Sequence, residues 1–214
     1  MNKDSEKGCV NRVSDNNVII LASASPRRKE LLAQIHVDCI CRPVEIDESA
    51  QKNEPVVDYV IRLAQEKALA GWNQSDKKRP VLGADTIVVY KQQLLGKPQN
   101  KAQAIETLSL LSGQTHHVYT AVAVMNEAGV ECLVSDNEVV FADINPETIK
   151  AYVASGEPMD KAGSYGIQGM AALWIKKISG SYSSVMGLPL YETGQLLQKL
   201  DIITVNNPQN NTAD

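Results

Sequence analysis

Positively charged side chains cluster where a short apolar segment meets a helical pattern. Arg27, Arg28 and Lys29 directly follow the small residues at 22–25 and Pro26. Cations in the first turn of a helix oppose the helix dipole, so stability alone would favour acidic residues there. The free backbone N–H groups of a helix N-terminus attract anions. This stretch therefore favours binding of an anion, most simply a phosphate chain, over an ordinary basic helix start.

Carboxylates form the second set of candidates. Asp85 interrupts an apolar run at 80–90 that predicts a central strand. A carboxylate inside a buried strand is costly unless it is paired, hydrogen-bonded or bound to a metal, so a functional Asp85 is favoured over a structural one. The loop at 43–49 adds Asp47 and Glu48. Either could contact a metal or a substrate, and a solvated acidic loop is the alternative.

A glycine-rich segment at 160–169 adds two polar side chains. Its three glycines indicate a backbone that takes unusual angles or approaches a ligand closely, with a plain flexible loop as the alternative. Lys161 could bind phosphate, and the amide of Gln168 can both donate to and accept from the edge of a base.

The three sets together suit metal-assisted chemistry on phosphates. Cations, including Lys97, would hold an anionic substrate, while carboxylates would place a divalent ion and activate water. The pattern therefore predicts a hydrolase of phosphate esters or nucleotides. The sequence has no Walker lysine motif, so it does not support a P-loop NTPase.

The elements that must position these residues predict a mixed α/β chain with parallel and antiparallel strand pairings. The predicted strands are 18–21, 38–42, 80–90, 116–125, 130–141 and 173–178, with a short hairpin at 90–96. The predicted helices are 26–36, 55–73, 101–111, 146–154 and a last one that starts at 187–189. The segment 179–184 is predicted to be a hydroxyl-rich loop.

Composition sets further bounds. The 214 residues are 43% hydrophobic, which suits a sizeable core. We predict a single α/β domain with two lobes at 17–203, a flexible N-terminal extension at 1–16 and a flexible tail at 204–214. The net charge of −4 argues against a nucleic-acid polymer as partner. No apolar run reaches transmembrane length and the polar N-terminus is unlike a signal peptide, so we expect a cytoplasmic protein without a membrane partner.

The four cysteines and three histidines show no spacing typical of a zinc site or a redox pair. We therefore expect reduced and mostly buried thiols. Any metal would be a hard cation bound by carboxylates and phosphates.

Four ordered segments resemble the Maf family of nucleoside triphosphate pyrophosphatases, and the likeness runs from about residue 18 to 200. The segments are LASASPRR at 21–28, GADT at 83–86, DKAGSYGIQG at 160–169 and GLPL at 187–190. The resemblance implies two α/β lobes around an elongated mixed sheet with a central cleft, a fold shared with ITP pyrophosphatases. It also implies hydrolysis of a nucleoside triphosphate between its α and β phosphates with Mg²⁺ or Mn²⁺. Members are often homodimers, and some are linked to septum formation in cell division.

The same resemblance implies roles for individual residues. Asp85 matches the general base that activates the attacking water, and the metal is expected on Asp85 and Glu48. Base preference is expected to depend on Arg27, Thr86 and Gln168. Phosphate contacts are expected at Ser23, Arg28, Lys97 and Lys161. Two further positions match an acidic residue and a lysine of the cleft, namely Glu48 and Lys67.

The base-preference positions distinguish branches of this family. The branch acting on 7-methyl-GTP resembles a pattern of tryptophan, glutamine and glutamate at the positions of Arg27, Thr86 and Gln168. This chain instead matches the branch acting on dTTP and UTP, and modified pyrimidine nucleotides are further candidate substrates. Two alternatives stay open: a nucleotide-binding regulator of cell division, and an ITP or XTP pyrophosphatase.

Overall fold

A computed structural model describes residues 18–203, and within them the strands form one seven-stranded mixed sheet. The strands are β1 Val18–Leu21, β2 Asp38–Cys41, β3 Val81–Tyr90, β4 Gln93–Leu95, β5 Thr115–Asn126, β6 Gly129–Phe141 and β7 Ile175–Ser179. The helices are α1 Pro26–Gln34, α2 Val56–Asn73, α3 Lys101–Leu111, α4 Pro146–Ala154, α5 Tyr182–Met186 and α6 Leu190–Gln198. Three short 3₁₀ helices lie between α4 and β7, at Glu157–Asp160, Ala162–Ser164 and Met170–Trp174.

The strand order is β2-β1-β3-β5-β6-β7, and β4 pairs with β3 as a short hairpin. Strand β1 runs parallel to both β2 and β3, whereas the remaining pairings are antiparallel. The prediction of a mixed α/β sheet is therefore confirmed. Strand β3 lies between β1 and β5 and is buried along nearly its whole length, as its continuous run of Val, Ile and Leu predicts.

Helix α2 packs unusually closely against β3. A Cβ atom at Gly83 would lie 2.5 Å from both the carbonyl oxygen of Ala64 and the backbone nitrogen of Ala68. Only glycine leaves room for the helix backbone at this distance. This close approach brings Lys67, on the same turn of α2, next to Asp85 of β3.

The buried apolar residues form two main clusters that meet at the cleft described below. One cluster includes Val88, Phe141 and Tyr165, and the other includes Leu21, Leu82 and Ile167. Members of both clusters line the cleft. The division into two lobes over 17–203 stays a prediction.

Three local expectations were wrong. Strand β7 begins at Ile175 rather than at 173, because 170–174 forms a 3₁₀ helix. The segment 179–184 is not all loop: α5 begins at Tyr182, and the Ser181 hydroxyl caps it by accepting from the backbone N–H of Ser184. The three thiols within residues 18–203 are free but not mostly buried, since Cys41 is exposed on the edge strand β2 and Cys39 and Cys132 are half-buried. Cys9 lies outside the described residues.

The predicted extension at 1–16 and tail at 204–214 lie outside the described residues. Among residues 18–203, no helix combines the length and the apolar character that crossing a membrane requires.

Candidate active site

All ten residues predicted for the site line one cleft of about 680 Å³. They come from the β1–α1 junction, the loop before α2, α2 itself, β3, the segment after β4 and the 3₁₀ region before β7. They are Ser23, Arg27, Arg28, Glu48, Lys67, Asp85, Thr86, Lys97, Lys161 and Gln168. Of the two acidic alternatives in the loop at 43–49, Glu48 lines the cleft and Asp47 does not; the Asp47 carboxylate accepts the backbone N–H of Ser49 at 2.9 Å.

The strand-to-helix junction forms as the sequence predicts. Pro26 occupies the first turn of α1 and the preceding Ser25 is extended, which suits a helix start, although the Ser25 side chain makes no capping bond. The side chains of Arg27 and Arg28 therefore extend from the first turn into the cleft, beside Ser23, which follows β1.

Arg28 is held by three hydrogen bonds. Its Nε donates to the carbonyl of Gly187 at 2.7 Å, Nη1 donates to the Ser23 hydroxyl at 3.0 Å, and Nη2 lies 3.5 Å from Thr86 Oγ1. Burial lowers the pKa of Arg28, and the charge of Asp85 acts in the opposite direction. The guanidinium carries five N–H groups, so donors remain for an anion in the cleft.

Lys67 joins the two predicted metal-binding carboxylates. Its ammonium nitrogen lies 2.6 Å from Asp85 Oδ1 and 2.6 Å from Glu48 Oε1. The side chains of Lys67 and Asp85 are only 12% and 13% exposed, whereas that of Glu48 is 52% exposed. Burial would raise the pKa of Glu48, but the hydrogen bond and charge of Lys67, with Lys97 and Arg28, hold it below its usual range.

These two carboxylates suit a divalent cation that also binds substrate. Mg²⁺ is commonly held by one or two carboxylates together with phosphate oxygens and water. Within residues 18–203, no group of three or more His, Cys, Asp or Glu side chains could hold a metal. The donor set of Glu48 and Asp85 therefore fits an ion whose remaining ligands come from a phosphate chain and water.

Each glycine of the segment 160–169 lies against a side chain rather than open space, and Gly163 packs on Val88 of β3. A Cβ at Gly166 would lie 2.7 Å from Cε of Lys161, and one at Gly169 would overlap the carboxylate of Glu157. Lys161 is held there by bonds to the Glu157 carbonyl at 2.5 Å and to Asp160 Oδ1 at 2.7 Å. The glycines thus position Lys161 in the cleft, while Gln168 and Lys97 are exposed.

Sequence reasoning missed several residues of the cleft. Asp160 lies between Lys161 and Arg27, whose Nη1 is 3.7 Å from Asp160 Oδ2. Burial would raise the pKa of Asp160, but Lys161 and Arg27 hold it below its usual range. Tyr165 also lines the cleft, and its hydroxyl lies 2.7 Å from Nε2 of the buried His116. The position of Asp160 next to Lys161 in the sequence was the one available signal.

Comparison with known families shows which family the chain belongs to. The family model described as "Maf-like protein" matches residues 18–200. The chain belongs to this family. The match covers nearly all of the described residues, including every residue placed in the cleft.

The matches to relatives in this family span most of each relative's length. The dTTP/UTP pyrophosphatase of Colwellia psychrerythraea is 50% identical over 192 residues, which are 88% of this chain and 91% of the relative. That of Escherichia coli is 49% identical over 186 residues, 86% of this chain and 94% of the relative. That of Nitrosomonas europaea is 46% identical over 198 residues, 87% and 96%. Among solved structures, a nucleoside-triphosphatase (dITP/XTP pyrophosphatase) from Mycobacterium abscessus matches with a TM-score of 0.43 and 13% identity, over 86% of this chain and 98% of that chain.

The four segments that resemble the Maf family meet at the cleft. The first supplies Arg28, the second supplies Asp85, the third supplies Lys161, and the fourth supplies the Gly187 carbonyl that accepts from Arg28. Residues far apart in the sequence of this Maf-like chain thus share one surface.

Proposed function

We propose that this protein hydrolyses dTTP and UTP to the nucleoside monophosphate and pyrophosphate. The observation that carries the proposal is the convergence of the anion-binding cations and the two carboxylates in one cleft. The names of the relatives, dTTP/UTP pyrophosphatase, agree with it. Modified pyrimidine nucleotides are further candidate substrates.

The cations and hydroxyls of the cleft would bind the triphosphate. Arg28 is pre-oriented by Gly187 and Ser23, so little side-chain freedom is lost when it binds a phosphate. Lys97 is exposed on the segment after β4, and Lys161 lies in the 3₁₀ region. An exposed cation at the rim also favours rapid capture of an anionic substrate.

Recognition of the base is assigned to Arg27, Thr86 and Gln168. Uracil and thymine present one N–H donor between two carbonyl acceptors, and a neutral amide such as Gln168 can pair with both kinds of group. A glutamate at this position would accept only, and it would meet the carbonyls of these bases unfavourably. The residue types present in the cleft therefore suit dTTP and UTP.

A divalent cation, Mg²⁺ or Mn²⁺, would be held by Glu48 and Asp85. When bound it would neutralise charge on the phosphate chain and polarise the phosphoryl group. Lys67 contributes on the protein side, because its ammonium lies 2.6 Å from each carboxylate and holds the two close together within the cleft.

Asp85 would act as the general base. Its Oδ1 accepts from Lys67, which fixes the carboxylate and leaves Oδ2 to accept a proton from water. The water oxygen then forms a bond to phosphorus as the P–O bond of the α–β linkage breaks. The electron pair of that bond leaves with the departing phosphate group, so the products are the monophosphate and pyrophosphate.

A homodimer and a cytoplasmic location are also part of the proposal. The homodimer rests on the family resemblance, and the location stays the expectation drawn from the sequence. Light scattering of the purified protein tests the first, and a mass of twice the 23.3 kDa chain is expected.

Incubation with a panel of nucleoside triphosphates, with and without Mg²⁺, tests the activity. We expect pyrophosphate and monophosphate from dTTP and UTP. The variant Asp85→Asn should lower kcat about a hundredfold or more, because general-base catalysis typically contributes that much. Asp136→Asn is the matched control, since Asp136 lies outside the cleft in an exposed contact with His117.

Other outcomes would refute parts of the proposal. Turnover of ITP or 7-methyl-GTP but not of dTTP and UTP would contradict the assignment of the base contacts. Near-normal turnover by Asp85→Asn would remove Asp85 from the role of base. Binding of nucleotides without turnover under any metal would favour a regulator of cell division over an enzyme.

A further inference from the structure

A hydrogen-bonded pair of threonine hydroxyls lies at the wall of the cleft. Thr86 of β3 faces Thr120 of β5 directly across the antiparallel pairing, and their Oγ1 atoms are 3.0 Å apart. Thr86 lines the cleft, whereas Thr120 is completely buried and does not reach it. The proton direction in this pair decides what Thr86 can offer a ligand.

The direction follows from the second bond of Thr120. Thr120 Oγ1 lies 2.8 Å from the backbone carbonyl of Ser184, and a carbonyl can only accept. The single proton of the Thr120 hydroxyl is therefore committed to Ser184. In the 3.0 Å contact between the two threonines, Thr86 must then be the donor and Thr120 the acceptor.

The Ser184 carbonyl is held in place by a buried network. The Ser184 hydroxyl accepts from Nδ2 of Asn137 at 2.8 Å. The side-chain oxygen Oδ1 of Asn137 accepts from the Ser181 backbone N–H at 2.6 Å. Ser184 and Asn137 are both buried. The two threonines could exchange roles only if the buried Ser184 carbonyl lost its hydrogen bond, because a carbonyl cannot donate.

Thr86 consequently has no proton left for the cleft. Within residues 18–203, the other side chain that hydrogen-bonds the Thr86 hydroxyl is Arg28, whose Nη2 lies 3.5 Å away, and a guanidinium only donates. The Thr86 oxygen therefore presents lone pairs, and only lone pairs, to whatever binds beside it. Such an atom favours a ligand group that carries an N–H or O–H.

We infer that Thr120 is a positioning residue for base selectivity, which it exerts by making Thr86 an obligate acceptor. This inference rests on the proposed function and on the assignment of Thr86 to base recognition. At N3, uracil and thymine carry a proton, whereas cytosine carries a lone pair. An acceptor-only Thr86 binds the first two and repels the third, so Thr120 selects UTP and dTTP against CTP.

The test compares kcat/KM for UTP with that for CTP in Thr120→Val. Valine has nearly the shape of threonine but no acceptor, so the Thr86 proton is released toward the cleft. We expect the UTP:CTP ratio to fall about tenfold, the order of magnitude of one hydrogen bond in a buried site. In a Thr86→Val background, Thr120→Val should leave the ratio unchanged, because the hydroxyl it orients is already absent.

Two controls separate this effect from general damage. Thr120→Ser keeps the hydroxyl and should retain the wild-type ratio. Thr193→Val makes the same chemical change at a buried threonine whose hydroxyl has no hydrogen-bond partner within residues 18–203, and it should also retain the ratio. If Thr120→Val does not fold, Thr120→Ala removes the same hydroxyl.

An unchanged ratio in a folded Thr120 variant without a hydroxyl would overturn the inference, as would an equal fall in Thr120→Ser. A changed ratio of UTP to dTTP with an unchanged ratio of UTP to CTP would also overturn it, since Thr86 would then face the sugar. Failure of the proposed function has a different signature, namely no turnover of UTP or dTTP by the wild type. The inference is then measured from the relative affinities for UMP and CMP by calorimetry, where the same tenfold change is expected.

Discussion

Replacing Lys67 by methionine isolates the electrostatic role of its ammonium group. Methionine keeps an unbranched stem but leaves Asp85 and Glu48 facing each other without the cation that lies 2.6 Å from each. The variant therefore holds the carboxylates of Asp85 and Glu48 together in a partly buried cleft with no cation between them. We expect Lys67→Met to be less stable than the wild type in the absence of metal.

The exposure of each partner sets the size of the loss. Removing one member of a buried ion pair costs roughly 3–5 kcal/mol, whereas an exposed pair contributes about 0–1 kcal/mol. Asp85 is 13% exposed and falls near the first case, while Glu48 is 52% exposed and falls in the second. We therefore expect a loss of about 3 kcal/mol at pH 7, nearly all of it from the contact with Asp85.

Urea unfolding at several pH values measures this loss. With an m-value of about 2 kcal/mol/M, a loss of about 3 kcal/mol lowers the midpoint by about 1.5 M. The pKa of Glu48 is held below its ordinary value of 4.5, so its contribution is present above pH 4.5 and disappears as the pH falls through the lowered value. The Glu48 part of the difference between wild type and variant, at most about 1 kcal/mol, should therefore disappear as the pH falls below 4.5. Added Mg²⁺ should restore part of the lost stability at pH 7.

The matched control is Lys199→Met, which removes an exposed ion pair with Glu131. It should change the stability by less than about 1 kcal/mol. A loss for Lys67→Met as small as that of the control would refute the reasoning. A loss that does not shrink at all below pH 4.5 would show that the contact with Glu48 contributes nothing to it.

Two further predictions concern the framework around the cleft. Gly83→Ala should destabilise the protein by about 3 kcal/mol and weaken catalysis, because the new methyl group meets the backbone of α2 at 2.5 Å. Thermal unfolding checks it against Gly194→Ala, which has open space inside α6 and should gain about 0.5–1 kcal/mol; equal effects would contradict the proposed clash. Burial lowers the pKa of His116 to about 4, so stability should be lost as the pH falls from about 6.5 to 4, by about 2 kcal/mol at pH 5. His116→Phe should flatten that pH dependence in urea titrations, and an unchanged slope would show that another group causes it.

Local patterns in the sequence predicted most elements of the fold. The run at 18–21, the small residues after it and Pro26 determine a strand, a turn and a helix start from neighbouring residues alone. The apolar run of β3 and the amphipathic pattern of α2 likewise depend on local periodicity. Short elements were mispredicted where few residues carry the signal, as at α5 and the start of β7.

The sequence also determined which residue types the cleft contains. Most of the motifs place polar side chains at strand ends, helix starts and loops, and one places Asp85 and Thr86 inside a strand. Only the tertiary structure decided how they pair. Lys67 reaches Asp85 because Gly83 allows α2 to approach β3, and Asp160 joins Arg27 to Lys161 across two distant segments. No local pattern predicts such contacts.

The proton direction at Thr86 shows the same limit most clearly. A threonine in a sequence is both a donor and an acceptor, and the sequence by itself determined only that Thr86 follows Asp85 in a strand. Its partner Thr120 is thirty-four residues away, and the Ser184 carbonyl is a further sixty-four residues along. The sheet register and the packing of α5 bring the three together, and that arrangement commits the Thr86 proton because a carbonyl can only accept.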